Sequence, residues 1–317
     1  MRAFLFATDP DKPPRGLETA VYAIGNFDGV HLGHQAVIRR TLALAKARGA
    51  PSAILTFEPH PADYFAGQKV VFRLTPLRAK IEMFEKLGVD GAVALHFDAE
   101  LASLSAEDFV SQVLARRLAA SAVVVGWDFH FGHGRSGNPA FLAEAGPRNG
   151  FVVDIVPKIE EGQGESAWVV SSTAIRRALQ NGDLTAAARG LGRRYSVRGV
   201  VISGRQLGRK LGIPTANIEL EPTNRLSHGI YAVWAGVGDR ELPAVASFGV
   251  RPAVDNGRPL LEVHVLDFSC DLYGQELNVE FVDRIREERY FHSLTALTAE
   301  MERDKQRARA ILTRVSC

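Results

Sequence analysis

The sequence predicts two domains: an α/β domain with a doubly wound parallel sheet, then a small antiparallel β-barrel or sandwich that ends in an α-helix. The chain has 317 residues, and at roughly 150 residues per domain this length favours two domains. Between about residues 20 and 180, short apolar runs alternate with longer helical patterns, which is typical of parallel strands joined by helices. From about residue 195, short apolar runs are separated by turn-rich pieces, which is typical of antiparallel strands.

The strands and helices of the first part follow from hydrophobic spacing. Residues 21–27 (VYAIGNF) form an apolar run that predicts a buried strand. Residues 34–48 carry apolar side chains on one helical face, and Gly49 just past their end is a helix-stop signal. The same reasoning predicts strands at residues 53–57, 92–96, 122–126 and 152–157, and helices at residues 77–87, 106–118 and 173–181.

The second part reads as a series of short strands and one terminal helix. Ser293 is a candidate N-cap for a helix over residues 293–315, whose apolar residues lie at helical spacing. A boundary within residues 183–194 separates the two patterns, so we expect domains at residues 1–186 and 187–317. The predicted strands are residues 195–203, 229–237, 242–248, 260–268 and 277–285.

Composition excludes several classes of protein. Hydrophobic residues make up 46% and charged residues 23%, so most of the chain is not disordered. The formal net charge of +2 is too small to predict nucleic acid as the main partner. Two cysteines give no disulfide framework, and no apolar run reaches the ~18–20 residues that cross a bilayer. We therefore expect a cytoplasmic protein with no membrane partner, and a homo-oligomer stays open.

The first candidate site is a glycine-rich turn between a strand and a helix. Gly25, Gly29 and Gly33 let the backbone turn tightly and approach a ligand closely. The helix N-terminus supplies N–H groups and partial positive charge, which suit a phosphate. His31 and His34 are three residues apart, so both can donate to the same phosphate. Two alternatives are weaker: a metal site would need a third ligand, and an ordinary turn would use the histidines only as caps.

Several motifs in order along the first part resemble a known family. They resemble the adenylyltransferase half of the bacterial bifunctional riboflavin kinase/FMN adenylyltransferase family, within the nucleotidylyltransferase superfamily. The matching segments are residues 25–34 (GNFDGVHLGH), 56–61 (TFEPHP), 74–80 (LTPLRAK), 126–137 (GWDFHFGHGRSG) and 171–176 (SSTAIR).

The resemblance implies a Rossmann-like domain that transfers AMP from ATP to FMN, with release of pyrophosphate. His31 and His34 would contact the ATP phosphates and stabilise charge on the reacting phosphorus. Asp128 and the loop after it would hold the nucleotide or FMN, and Mg²⁺ would offset the charge of the leaving pyrophosphate. The remaining residues of this expected binding set are Gly25, Asn26, Phe27, Asp28, Gly33, Arg135, Ser172, Thr173 and Arg176.

One departure concerns charge. The family usually carries Arg or Lys where His130 and His133 stand in this chain. An imidazole is only partly charged near neutral pH, so the cationic contribution of this loop depends on pH.

The second candidate site begins with a basic, glycine-rich loop over residues 204–212. Gly204, Gly208 and Gly212 make it flexible enough to lie over phosphates, while Arg205 and Lys210 supply charge. It lacks the GxxxxGK[ST] pattern of a P-loop. Taken alone, such a loop is more often a basic surface turn.

The residues PTAN follow this loop almost directly. Pro214 restricts the backbone, and Thr215 and Asn217 are two residues apart, so on an extended segment they face the same side. Hydroxyl and amide oxygens are hard ligands that suit Mg²⁺ held together with ATP phosphates.

A carboxylate on an alternating strand completes the second site. In residues 261–265 (LEVHV), Glu262 lies on the face opposite the apolar side chains, where it could accept a proton beside Mg²⁺. The strand pattern alone favours a surface carboxylate, so its pairing with PTAN carries the catalytic interpretation.

Together these residues resemble the riboflavin kinase module of the same family. The resemblance implies a six-stranded barrel in which Thr215 and Asn217 bind Mg²⁺–ATP and Glu262 takes the proton from the riboflavin 5′-hydroxyl. It adds Arg286 to the binding set, within residues 286–291 (REERYF). Ala253 stands where the family usually has Thr, which removes one local hydrogen bond of about 0.5–1.5 kcal/mol.

The favoured hypothesis is one enzyme that uses riboflavin, FMN and ATP as substrates in two successive steps. Two alternatives stay open: an enzyme with one active module and one degenerate module, and a flavin-responsive regulator that binds without turnover. The regulator would be expected to lack residues such as His34, Asn217 or Glu262, and all three are present.

Overall fold

The structure is a computed structural model that describes residues 3–203, 213–250, 259–268 and 270–315. The chain divides into two compact units, Met1–Ser172 and Thr173–Cys317. The expected boundary between residues 186 and 187 falls inside a helix, Leu184–Leu191, and stays a prediction for the functional modules.

The first unit is built around a six-stranded parallel sheet, which confirms the predicted α/β fold. The strands are β1 (Leu5–Thr8), β2 (Val21–Ile24), β3 (Ser52–Glu58), β4 (Gly91–His96), β5 (Ala122–Gly126) and β6 (Val152–Val156), in the order β1-β4-β3-β2-β5-β6. The chain builds outward from β2 through β3 to β4 on one side, then crosses to β5 on the other side of β2. Between β2 and β5 the direction of winding reverses, and this is where open α/β sheets bind ligands.

Helices cover both faces of this sheet, and β2 is buried along its whole length. Its apolar side chains divide between two core clusters, one on each face, as expected for a parallel sheet. The helices are α1 (Leu32–Arg48), α2 (Pro61–Ala66), α3 (Leu77–Lys86), α4 (Ala99–Ser103), α5 (Ala106–Asp108, continuing as a π-helix over Phe109–Arg117) and α6 (Pro139–Arg148). A hairpin of β7 (Glu160–Glu161) and β8 (Trp168–Val169) follows.

The second unit is a closed antiparallel barrel. Of the two predicted alternatives, the barrel is therefore confirmed and the sandwich is wrong. Ser293 caps the last helix by accepting a hydrogen bond from the amide of Ala296, as predicted. The strands, in the order β10-β13-β12-β11-β14-β9, are β9 (Ser196–Ile202), β10 (Ala216–Glu219), β11 (Gly229–Val237), β12 (Arg240–Val250), β13 (Pro259–Val265) and β14 (Glu276–Arg286). Two helices precede the barrel, α7 (Ser172–Gln180) and α8 (Leu184–Leu191), and α9 (Leu294–Val315) follows it.

Hydrophobic spacing alone missed several elements and one boundary. The strand predicted over residues 21–27 ends at Ile24, and it cannot extend to Phe27, whose positive φ of 49° is incompatible with regular strand geometry. The short strands β1 and β10 and the helices α2 and α6 were also not predicted from spacing. Each is short or contains proline, so its periodic signal is weak.

Candidate active sites

The glycine-rich turn lies between β2 and α1, at the carboxyl edge of the sheet beside the winding reversal. Phe27 and Val30 adopt left-handed φ angles of 49° and 42°, and Gly29 has a φ of 90°. Left-handed backbone is costly for a β-branched residue such as valine and is concentrated at ligand sites. The turn thus has a strained, specific shape, consistent with a binding function.

His31 and His34 lie side by side at the start of α1. Their rings are stacked, with centroids 3.5 Å apart. The Nδ1 atom of His31 accepts a hydrogen bond from the backbone amide of His34 at 3.3 Å, so His31 is the N-cap of the helix. An Nδ1 that accepts places the proton of a neutral imidazole on Nε2. Capping is therefore compatible with His31 donating through Nε2, so the capping role and the expected phosphate contact do not exclude each other.

Gly33 makes the stacked arrangement of the histidines possible. A Cβ atom at this position would lie 3.1 Å from the ring of His31. Such a contact is tighter than ordinary packing allows, so the ring would have to move. Gly33 thus supports the site by leaving room for a side chain, in addition to any close approach of a ligand.

Asp28 holds the turn against a second loop. Its carboxylate is buried and accepts hydrogen bonds from the amides of Leu74 and Thr75 at 3.1 and 2.9 Å. Its backbone carbonyl accepts a hydrogen bond from the Ser172 hydroxyl at 2.8 Å. These contacts give Asp28 a positioning role, and its expected contact with the nucleotide stays a prediction.

Lys80 lies beneath the turn and was not identified as a site residue from the sequence. Its side chain is buried, and its Nζ atom donates to the carbonyl of Asn26 at 3.0 Å. Burial lowers the pKa of Lys80 to about 8; Arg73 adds to this effect, and Glu58 and Asp28 oppose it. The signal in the sequence was a lysine four residues before the buried Phe84, on the apolar face of a helix.

The loop after β5 carries the polar groups that the resemblance singled out. Asp128, His133 and Arg135 are exposed, and the Nδ1 atom of His130 lies 2.8 Å from the carbonyl of Asp128. This loop and the turn after β2 follow neighbouring parallel strands, so both lie at the same edge of the sheet. On α7, Thr173 is exposed and Arg176 is half-buried.

In the second unit, Asn217 on β10 lies directly opposite Glu262 on β13. Directly opposed residues point to the same face of a sheet with their Cβ atoms about 4.5–5.5 Å apart. The barrel therefore places together Asn217 and Glu262, which the sequence predicted to act at one site.

Asn217 and Thr215 line a cavity of about 260 Å³. Asn217 is only 7% exposed. A buried amide is costly unless its polar atoms find partners, and the cavity is where a bound ligand can supply them. The rest of the cavity wall mixes apolar and polar residues, including Val201, Pro214, Val263, Phe268, Asp271 and Tyr273.

Arg286 is largely committed to contacts within its own unit. Its Nε and Nη2 atoms donate to the buried carboxylate of Asp304, at 3.0 and 2.6 Å, and Nη1 donates to the Glu287 carbonyl. Its expected role in nucleotide binding stays a prediction, while these contacts favour a role in fixing α9 to the barrel. The expected binding residues Gly204, Arg205, Gly208, Lys210 and Gly212, and the departure at Ala253, lie outside the described residues.

Comparison with known proteins gives two family matches. Residues 14–174 match the family model described as FAD synthetase, and residues 191–312 match the one described as riboflavin kinase. No helix in the described ranges is long and apolar enough to cross a membrane.

Relatives that match nearly the whole chain carry both activities in their names. A bifunctional riboflavin kinase/FMN adenylyltransferase of Escherichia coli K12 is 40% identical over 293 residues, 92% of each chain. The protein of that name in Haemophilus influenzae is 42% identical, over 93% of this chain and 95% of its own. A Streptococcus pneumoniae crystal structure described as a macrolide-efflux protein superposes with a TM-score of 0.82 at 29% identity, covering 95% of this chain and 98% of its own.

Proposed function

The chain belongs to the bifunctional riboflavin kinase/FMN adenylyltransferase family, and we propose which of its residues perform each of the two reactions. The enzyme phosphorylates riboflavin with ATP to give FMN and ADP, and then transfers AMP from a second ATP to FMN to give FAD and pyrophosphate. We propose that residues 187–317 perform the first step and residues 1–186 the second.

The kinase step is assigned to the face of the barrel that carries Asn217 and Glu262. Glu262 takes the proton of the riboflavin 5′-hydroxyl as its oxygen bonds to the γ-phosphorus of ATP and ADP leaves. The observation that supports this most strongly is the direct register of Glu262 with the buried Asn217 amide. This register brings the Glu262 carboxylate, a proton acceptor, next to the Asn217 amide, whose oxygen suits Mg²⁺ bound to the ATP phosphates.

Thr215 and Asn217 fit a bound Mg²⁺ ion. The fit rests on the donor chemistry, a hydroxyl and an amide oxygen, and on the buried Asn217 side chain that lines the cavity. Mg²⁺ supplied with ATP would neutralise charge on the phosphates during transfer. Arg205 and Lys210, in the glycine-rich sequence just before PTAN, would add positive charge that favours the ATP phosphates.

The adenylyl step is assigned to the turn after β2. A phosphate oxygen of FMN bonds to the α-phosphorus of ATP, and pyrophosphate leaves. The attacking group is already ionised, so the protein needs hydrogen-bond donors more than a general base. Nε2 of His31, the adjoining His34 ring and the N-terminus of α1 supply such donors. A cytoplasmic location is proposed because both steps consume ATP and Cys270 is an exposed free thiol.

Two single substitutions test the assignment of separate sites. Glu262→Gln should abolish FMN formation from riboflavin but leave FAD formation from supplied FMN, because only the proton acceptor is lost. His34→Ala should have the opposite effect. Products are separated by chromatography after incubation with ATP and Mg²⁺. Equal loss of both activities in either folded variant would show that the sites are wrongly assigned.

A further inference from the structure

His264 lies next to Thr215 and Asn217, the two residues proposed to hold Mg²⁺. It follows Glu262 by two residues on β13, so the two side chains share one face of the strand. The register pairs Ala216 with Val263, which brings His264 alongside the residue before β10, Thr215. No role for this histidine was evident from the sequence.

The ring of His264 contacts the backbone of the PTAN segment. Its Nδ1 atom lies 2.8 Å from the carbonyl oxygen of Pro214. A carbonyl can only accept, so Nδ1 must carry the proton and donate it. The interaction therefore fixes the tautomer of the histidine as well as its orientation.

The hydrogen-bonded carbonyl belongs to the peptide group that joins Pro214 to Thr215. A peptide group is planar, so holding its oxygen fixes the plane from which the Thr215 Cα atom emerges. The ring of Pro214 already restricts the backbone on the other side. Both constraints act on the residue whose hydroxyl is proposed to hold Mg²⁺.

The surroundings of His264 suit a fixed donor. The ring is half-buried, and this burial lowers the pKa of His264. The charge of Lys305 on α9 lowers this pKa further. Three groups raise it instead: the hydrogen-bonded Pro214 carbonyl, Glu302 on α9 and Asp267 in the turn after β13. Neutral histidine still donates through Nδ1. The contact with Pro214 thus does not depend on a positive charge.

We propose that His264 is a positioning residue of the kinase site, holding the Pro214 carbonyl so that the Thr215 hydroxyl is oriented toward Mg²⁺–ATP. This inference rests on the proposed function of Thr215 and Asn217. It follows the way in which ligands of metal sites are oriented by groups behind them, whose loss typically lowers metal affinity or activity about 10–100-fold.

The test compares three variants in the riboflavin kinase assay with MgATP varied. His264→Leu removes the donor, and the KM for MgATP should rise about 10–100-fold. His264→Asn places an amide N–H close to the position of Nδ1 and should restore most of the wild-type KM. His264→Gln carries its amide one methylene further out and should resemble the Leu variant, which keeps the test decisive if the Leu variant does not fold. FAD formation from supplied FMN in the same samples should stay unchanged.

The results that overturn the inference are distinct from those that overturn the proposed site. A wild-type KM for MgATP in the Leu and Gln variants would overturn the role of His264. An Asn variant as impaired as the Gln variant would also overturn it, because the donor would then not be the property that matters. Thr215→Ala, assayed in parallel, tests the metal site itself: if its KM for MgATP is unchanged, the proposed function of Thr215 fails first.

Discussion

Lys80 is a buried residue that contacts the turn after β2, the proposed site of adenylyl transfer. Its Nζ atom donates to the Asn26 carbonyl in the turn after β2, and the Thr56 hydroxyl also lies 3.3 Å from that carbonyl. A buried ammonium is costly unless it is hydrogen-bonded and compensated by charge. The nearby carboxylates of Glu58 and Asp28 supply the compensation. We infer that the protein retains this buried charge because Lys80 holds the turn after β2 in place.

Replacing Lys80 by Met should lower FAD formation from FMN by about tenfold or more, since one charge-assisted hydrogen bond of about 1.5–3 kcal/mol to the turn is lost. Riboflavin kinase activity should not change. Lys86, exposed at the end of the same helix, provides the matched control, and Lys86→Met should leave both activities intact. Equal activities of the two variants in the FAD assay would contradict the supporting role of Lys80.

The pKa of Lys80 also predicts how stability depends on pH. The folded-state pKa of about 8 lies below the ordinary value of 10.5, so between these limits the unfolded chain binds more protons than the folded chain. Stability contributed by this residue should therefore rise with pH across that window. Urea midpoints of the wild type, relative to Lys80→Met, should increase from about pH 8 toward pH 10. A constant or falling difference would show that Lys80 stays charged in the folded state.

At the scale of elements, the start of α1 combines helix capping with a proposed phosphate contact. Gly33→Ala should reduce FAD formation, because the new Cβ would lie 3.1 Å from the His31 ring and displace the stacked pair. Gly49→Ala at the other end of the same helix is the control: a Cβ atom there would meet no other atom within 4 Å, but the φ of 64° disfavours alanine. That variant should lose about 1 kcal/mol of stability and keep its activity. Retained FAD formation in Gly33→Ala would indicate that the histidine pair tolerates displacement.

The contact between β14 and α9 depends on a buried ion pair. The side chains of Arg286 and Asp304 are 8% and 3% exposed, and removing one partner of such a pair costs about 3–5 kcal/mol. Asp304→Ala should therefore strongly destabilise the second unit in urea unfolding. Asp267→Ala, which removes an exposed ion pair with Arg309 on the same helix, should have little effect. Similar midpoints for the two variants would contradict the importance of burial.

The elements that could be predicted from the sequence are those with a long periodic signal. The parallel strands β3 to β6, together with α1 and α9, were predicted close to their observed bounds, because each has several apolar residues at one spacing. The barrel strand β10 has only four residues, and hydrophobic spacing did not reveal it. The contacts that support the proposed sites could not be predicted from the sequence at all. That Lys80 reaches Asn26, or that His264 reaches Pro214, depends on long-range packing between segments that are 54 and 50 residues apart.

At the scale of the whole molecule, each proposed site has its central residues within one compact unit. The stacked histidines and Asp28 belong to the first unit, and Thr215, Asn217 and Glu262 belong to the second. Each unit has its own sheet, one open and parallel, the other closed and antiparallel. On this assignment, neither proposed site requires an active residue of the other.

This independence predicts that two inactive chains can complement each other. A mixture of Glu262→Gln and His34→Ala should convert riboflavin to FAD, although neither variant does so alone. The His34→Ala chain would make FMN and release it, and the Glu262→Gln chain would adenylylate it. Because FMN must diffuse between molecules, FAD should appear after a lag that shortens as the concentration of the Glu262→Gln chain rises. FMN that accumulates without FAD formation in the mixture, while the Glu262→Gln chain alone still converts added FMN, would show that transfer between chains is blocked.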